Sequence, residues 1–166
     1  MIDLRVKTCC FTGHRVIPSG EKETIRSMLE TAIEKAIQDG YRFFGAGGAL
    51  GFDTLAAQTV LKLKRQYPHI WLILVLPCIN QTHEWKQADI DEYEHIKTLA
   101  DKVFYTSKEY SYGCMHKRNH HLVDNSNLCI RYMTRLSGGT AYTVRYAENK
   151  RVYIRNIASI LKSDLR

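Results

Sequence analysis

No stretch of this 166-residue chain stays apolar for long. The longest such run, Ile70 to Leu76, is far below the about 20 residues that a bilayer-spanning helix needs. The opening residues, Met1-Ile2-Asp3-Leu4-Arg5, hold no hydrophobic stretch of signal-peptide length. A cytoplasmic protein without a membrane partner is expected. Cysteine pairing patterns are missing as well. The five cysteines (Cys9, Cys10, Cys78, Cys114, Cys129) are odd in number and include no C-x-x-C. Neither a disulfide framework nor a zinc site is expected, and no cofactor is implied. Low-complexity segments, internal repeats and interdomain linkers are absent, so residues 1–166 read as one domain. Neither glycine run has the full dinucleotide spacing, and no G-K-[ST] follows either, which excludes a P-loop.

What the chain does contain is ordinary globular material, 45% apolar and 25% charged. Lysine and arginine number 24 against 17 acidic residues, a net charge of +7 that favours phosphorylated and polyanionic ligands. The cations are spread along helices, which also fits a solvated basic surface. Apolar β-branched runs alternate with helical patterns from end to end. Strands are predicted at Lys7–Phe11, Tyr41–Phe44, Ile70–Leu76, Lys102–Tyr105, Leu128–Met133 and Arg151–Ile154. Between them lie helical patterns at 21–38, 53–65, 82–99, 114–125 and 140–148, with Ser19, Asp53, Thr82 and Thr140 placed to cap and Gly40 to terminate. Strands separated by helices form a parallel sheet with right-handed crossovers. The expectation is a Rossmann-like three-layer α/β/α sandwich with a mainly parallel sheet of about six strands.

Ligands of such sheets bind beyond the carboxyl ends of the strands, near the reversal of strand order. The segments expected at that edge are rich in glycine, hydroxyl and cationic residues. After the first strand comes Gly13-His14-Arg15, a tight turn with an imidazole and a guanidinium able to grip two phosphate oxygens. After the second comes the cluster with Gly47, Gly48 and Gly51, then Asp53, read as a helix cap or as an acceptor for a ribose or base. The loop before the fourth helix offers Tyr110 for base stacking, and that helix offers Arg118 and Asn119. After the fifth strand, Ser137-Gly138-Gly139-Thr140 opens the last helix, where bare N–H groups and the positive dipole end favour an anion. Both glycine bends are expected to face one basin. His116, His120 and His121 lack an acidic partner at matching spacing, so no metal is expected.

Together these residues resemble the SLOG superfamily and, within it, the YpsA-like branch. The likeness rests on Phe11-Thr12-Gly13-His14-Arg15, Gly47-Gly48-Ala49-Leu50-Gly51-Phe52-Asp53, Gln81 with Trp85 and Tyr93, Arg118-Asn119 with Leu122-Val123-Asp124, and Gly138-Gly139-Thr140 with Tyr146-Ala147. It spans about residues 8 to 155. The glycine segment ending in Asp53 is similar to that of the DprA proteins, which bind single-stranded DNA. Arg118 with the later Gly-Gly-Thr is similar to the lonely-guy phosphoribohydrolases, whose glycine motif continues into a catalytic glutamate. Here Thr140 is followed by Ala141, Tyr142, Thr143 and Val144, with no carboxylate. The resemblance implies the fold and a nucleotide-type ligand, and withholds that hydrolase motif. The expected function is binding of a nucleotide-derived ligand. Alternatives are hydrolysis of an N-glycosidic or phosphoester bond by Asp53 or His14, and nucleic-acid binding. Relatives of this kind often form homo-oligomers.

Overall fold

Strand and helix alternate through the residues that the computed structural model describes, 2–134 and 138–158. The strands are β1 (Thr8–Gly13), β2 (Phe43–Ala46), β3 (Trp71–Leu76), β4 (Lys102–Tyr105), β5 (Leu128–Tyr132) and β6 (Tyr153–Asn156). The helices are α1 (Lys22–Gln38), α2 (Phe52–Lys64), α3 (Gln87–Leu99), α4 (Cys114–Asp124) and α5 (Gly139–Asn149). All pairings are parallel, in the order β4-β3-β2-β1-β5-β6. The expected Rossmann-like α/β/α architecture is what the chain adopts. No helix among the described residues is long and apolar enough to cross a membrane.

Alternation along the strands divides the core. Cys9, Phe11, Phe44, Leu72, Leu74, Ile130 and Tyr132 join the cluster beneath α1, α2 and α3. Cys10, Val75 and Cys129 face the other way, onto Leu122 and Val123 of α4 and Ala147 of α5. A sheet covered on both faces explains why its inner strands are nearly all apolar. Each fully buried Leu, Ile or Phe contributes about 1.5–3 kcal/mol. The five cysteines are buried free thiols.

Element boundaries differ from the sequence reading for local reasons. Gly40, at φ +99°, closes α1 as expected, and the amide of Tyr41 bonds back to the Ala36 carbonyl. Tyr41 therefore belongs to the helix end, and β2 starts two residues later. Arg151 takes φ +59° in the turn after α5, so β6 starts at Tyr153. The four expected side-chain caps do not form. Ser19 lies in a 3-10 turn, Thr82 precedes α3 by a turn, and Asp53 and Thr140 sit inside the first turns of α2 and α5, whose cap positions are Gly51 and Gly138.

Sheet order positions the site. The chain runs outward from β1 through β2 and β3 to β4, then returns to place β5 on the opposite side of β1. The loops after β1 and β5 thus diverge, and a crevice opens between them.

Candidate functional site

A pocket of about 750 Å³ occupies that crevice. Its wall comes from the loop after β1 (Gly13, His14, Arg15), the start of α2 (Ala49, Asp53), α4 (Met115, His116, Arg118, Asn119) and the end of β5 with the start of α5 (Tyr132, Thr134, Gly139, Thr140). Four separate sequence motifs therefore converge on one cavity.

Arg118 is the central cation. Although a guanidinium is costly to desolvate, it is only 4% exposed. Its Nη1 donates to the Gly47 carbonyl, and its Nε donates to Asn119 Oδ1 at 2.7 Å. Gly47 makes this possible, since a Cβ there would lie 2.6 Å from Arg118 Nη1 and 2.9 Å from Asp53 Oδ2. Asp53 is also buried and accepts the Ala49 amide at 3.2 Å. Burial pushes the Asp53 carboxyl above its ordinary 3.8, against the smaller pulls of Arg118, the Ala49 amide and Arg15. Burial likewise lowers Arg118, offset in part by Asp53, while Arg15 adds repulsion. Both shifts have one meaning: desolvation exceeds the attraction between the two groups. The wall thus holds a buried cation flanked by the Gly47 carbonyl, Asn119 Oδ1 and Asp53.

His14, 7% exposed, accepts the Thr134 amide through Nε2 at 2.9 Å. An N–H aimed at that atom requires a lone pair there, which puts the ring proton on Nδ1. The bond ties the loop after β1 to the loop after β5. Across the pocket, Gly138 stands at φ +94° as the cap residue of α5, and Gly139 begins the helix. The positive end of the α5 dipole is therefore at the cavity.

The remaining expected residues are placed differently. Gly48 and Gly51 are absent from the pocket wall, as is Gly47 beyond its contact with Arg118. Gly48 packs toward Leu76, Gln81 and Tyr93. Gly51 runs against the backbone of Arg15, and the next amide, Phe52 N, donates to the His14 carbonyl at 3.1 Å. The second glycine bend braces the first loop, whereas the glycine at the start of α5 lines the cavity. Tyr110 is 64% exposed and does not line the pocket; its amide donates to Asn80 Oδ1. Ser137 lies outside the described residues. Among the described residues no group of three His, Cys, Asp or Glu side chains could hold a metal.

The sequence reading missed Glu21 and Tyr132, both in the pocket wall. Tyr132 was within reach, because period-two alternation from Ile130 puts it on the Phe11 face at the ligand end of β5. Nothing in the sequence marks Glu21.

The family model of the YspA SLOG family, YpsA, matches residues 18–162. The chain belongs to this SLOG family. A UPF0398 protein of Halalkalibacterium halodurans is 31% identical over 129 residues, covering 76% of this chain and 68% of that one. The uncharacterized SPbeta prophage-derived protein YoqJ of Bacillus subtilis is 28% identical, covering 80% and 82%. A UPF0398 protein of Brevibacillus brevis is 34% identical over 79 residues, and that match spans 42% of the relative. Among solved structures, DNA processing protein A of Helicobacter pylori, in a study of its single-stranded DNA binding mode, matches with TM-score 0.66 and 17% identity over 92% of this chain and 66% of its own. DprA of Streptococcus pneumoniae matches with TM-score 0.69 and 14% identity over 92% and 50%. At such identities the likeness is one of fold. This SLOG chain covers half to two thirds of those DprA chains.

The Asp53 shift has a consequence for stability. A carboxyl raised in the folded state contributes relative stability that is fully present below the unfolded value of 3.8 and lost as pH rises through the folded value. Asp53→Asn removes this dependence. Urea unfolding between pH 3 and 7 should show the wild type losing stability relative to Asp53→Asn as pH rises. A constant difference would show that the carboxyl is not perturbed.

Proposed function

We propose that this SLOG protein binds a nucleotide-derived small molecule in the crevice between β1 and β5, as a sensor or sequestering module. The observation that carries the reading is the buried Arg118 in a pocket whose wall also carries Arg15 and receives the N-terminus of α5. A bound phosphate accepts hydrogen bonds from the bare amides at the start of α5 and from the Arg15 guanidinium, and its charge is attracted by Arg118. Arg15 adds an exposed guanidinium at the same wall. Fold-level likeness to other proteins supports a ligand at this edge only by analogy.

Isothermal titration against nucleoside mono-, di- and triphosphates, ADP-ribose derivatives and cyclic dinucleotides tests the reading. At least one phosphorylated compound should bind, and Arg15→Ala should weaken it by about tenfold or more, with little change in stability. Absence of binding across the panel would count against the proposal.

Asp53 favours a second reading. A buried carboxyl with a raised pKa facing a ligand pocket suits a general acid for N-glycosidic cleavage. Turnover of nucleoside monophosphates in a chromatographic time course, lost in Asp53→Asn, would replace the binding role with a catalytic one.

A further inference from the structure

The pocket holds a second carboxylate that phosphate recognition does not use. Glu21 stands just before α1, exposed at the pocket wall, and its Oε2 accepts the Tyr132 hydroxyl at 3.1 Å. Tyr132 is itself fixed: it is 2% exposed, stacked on Phe52 at 5.9 Å between ring centroids, and edge-on to His14 at 5.6 Å. A rigid aromatic thus orients an otherwise free-swinging glutamate. Burial and the bond to Glu21 push the Tyr132 hydroxyl up to about 12, so it remains a donor throughout the physiological range.

The carboxylate and the cation come from different walls of this cavity: Glu21 precedes α1 and is held by Tyr132 of β5, whereas Arg118 comes from α4 beside Gly47 and Asp53. A carboxylate repels phosphate, so the part of a ligand beside Glu21 must be neutral and rich in donors. A carboxylate has about four acceptor sites, and the tyrosine uses one. The paired oxygens suit two adjacent hydroxyls, and the edge contact between Tyr132 and His14 makes this corner the neighbour of the Gly13-His14-Arg15 turn. In a nucleotide the group next to the phosphate is the sugar.

We infer that Glu21, positioned by Tyr132, accepts hydrogen bonds from the vicinal hydroxyls of a ribose and selects ribonucleotides over 2′-deoxyribonucleotides. The inference rests on the nucleotide reading of the pocket. Glu21 is the specificity-determining residue, and Tyr132 acts through it.

The test is titration of the 166-residue chain with the four ribonucleoside 5′-monophosphates and their 2′-deoxy forms. Wild-type protein should prefer the best-bound ribonucleotide over its deoxy form by about tenfold or more, as expected when a charged acceptor loses its donor. Glu21→Gln and Tyr132→Phe should bring the ratio toward one, because the ribonucleotide loses two hydrogen bonds to this carboxylate and the deoxy form only that of its 3′-hydroxyl. Far-UV circular dichroism and thermal melting identify a variant that has lost its fold, and the exposed Glu21→Gln decides the matter if Tyr132→Phe fails. Equal binding of both sugars by wild type overturns the inference and leaves the nucleotide reading intact. A preference that survives Glu21→Gln overturns the role of this residue. If no monophosphate of either series binds, while a phosphorylated compound from the wider panel does, the ribose reading fails alone. If nothing binds, both fail.

Discussion

Arg118→Ala is expected to cost about 3 kcal/mol of folding stability at neutral pH and to abolish ligand binding. The side chain is 4% exposed, and its guanidinium serves the Gly47 carbonyl, Asn119 Oδ1 and the charge of Asp53 together. Alanine leaves a carbonyl without its donor and a buried carboxylate without the cation that acts on it most strongly. The response also carries a sign in pH. Asp53 already lies above 3.8 with Arg118 in place, and removing that cation raises it further. The variant then folds with a neutral Asp53 at low pH and must ionise it, buried, at high pH. Its deficit relative to wild type should grow from pH 5 to pH 8 in urea unfolding. Adding Asp53→Asn should recover part of the loss at pH 8 and less at pH 5, a double-mutant cycle that isolates the coupling. A deficit under 1 kcal/mol, the same at both pH values, would mean that Arg118 is not an electrostatic centre of the pocket.

Gly51→Ala should do comparable damage by a different route. Gly51 has φ +77° and ψ −118°, a region that side chains disfavour. A Cβ there would fall 2.2 Å from the Arg15 carbonyl oxygen and 2.7 Å from that of His14, both backbone atoms that cannot swing aside. The loop carrying His14 and Arg15 must move, or α2 must start elsewhere. A loss of about 3 kcal/mol, together with loss of ligand affinity, is expected from thermal or urea unfolding and titration. Gly139→Ala is the control. A Cβ at Gly139 meets nothing within 4 Å among the described residues, so its stability should stay within about 0.5 kcal/mol of wild type. Equal destabilisation by the two substitutions would remove the distinction between a bracing glycine and a pocket glycine.

That distinction shows where sequence reasoning reached and where it stopped. Hydrophobic periodicity identified all six strands and five helices, and strand–helix alternation implied the layering, because both follow from burial repeated along the chain. It also located the Gly13-His14-Arg15, Asp53, Arg118 and Gly139-Thr140 segments that now share a cavity. The role of the 47–51 glycines was not legible. A glycine approached by a ligand and one approached by Arg118 or by the Arg15 backbone read alike, and only three-dimensional neighbours separate them. Caps were misread for a related reason: Ser19, Asp53, Thr82 and Thr140 have suitable side chains, but helix starts were set by glycine geometry and 3-10 turns. Glu21 has no periodic or spacing signal, since its importance comes from a tyrosine hydroxyl 111 positions away.

The return of the chain to β1 sets an order in time as well as in space. Until β5 inserts, the pocket beside residues 11–21 lacks the bank formed by Tyr132, Thr134 and Gly139. Such distant pairing is entropically late in folding. A nascent or truncated chain ending before residue 128 would therefore lack one wall of the crevice, and a ligand that needs both walls would favour the finished sheet.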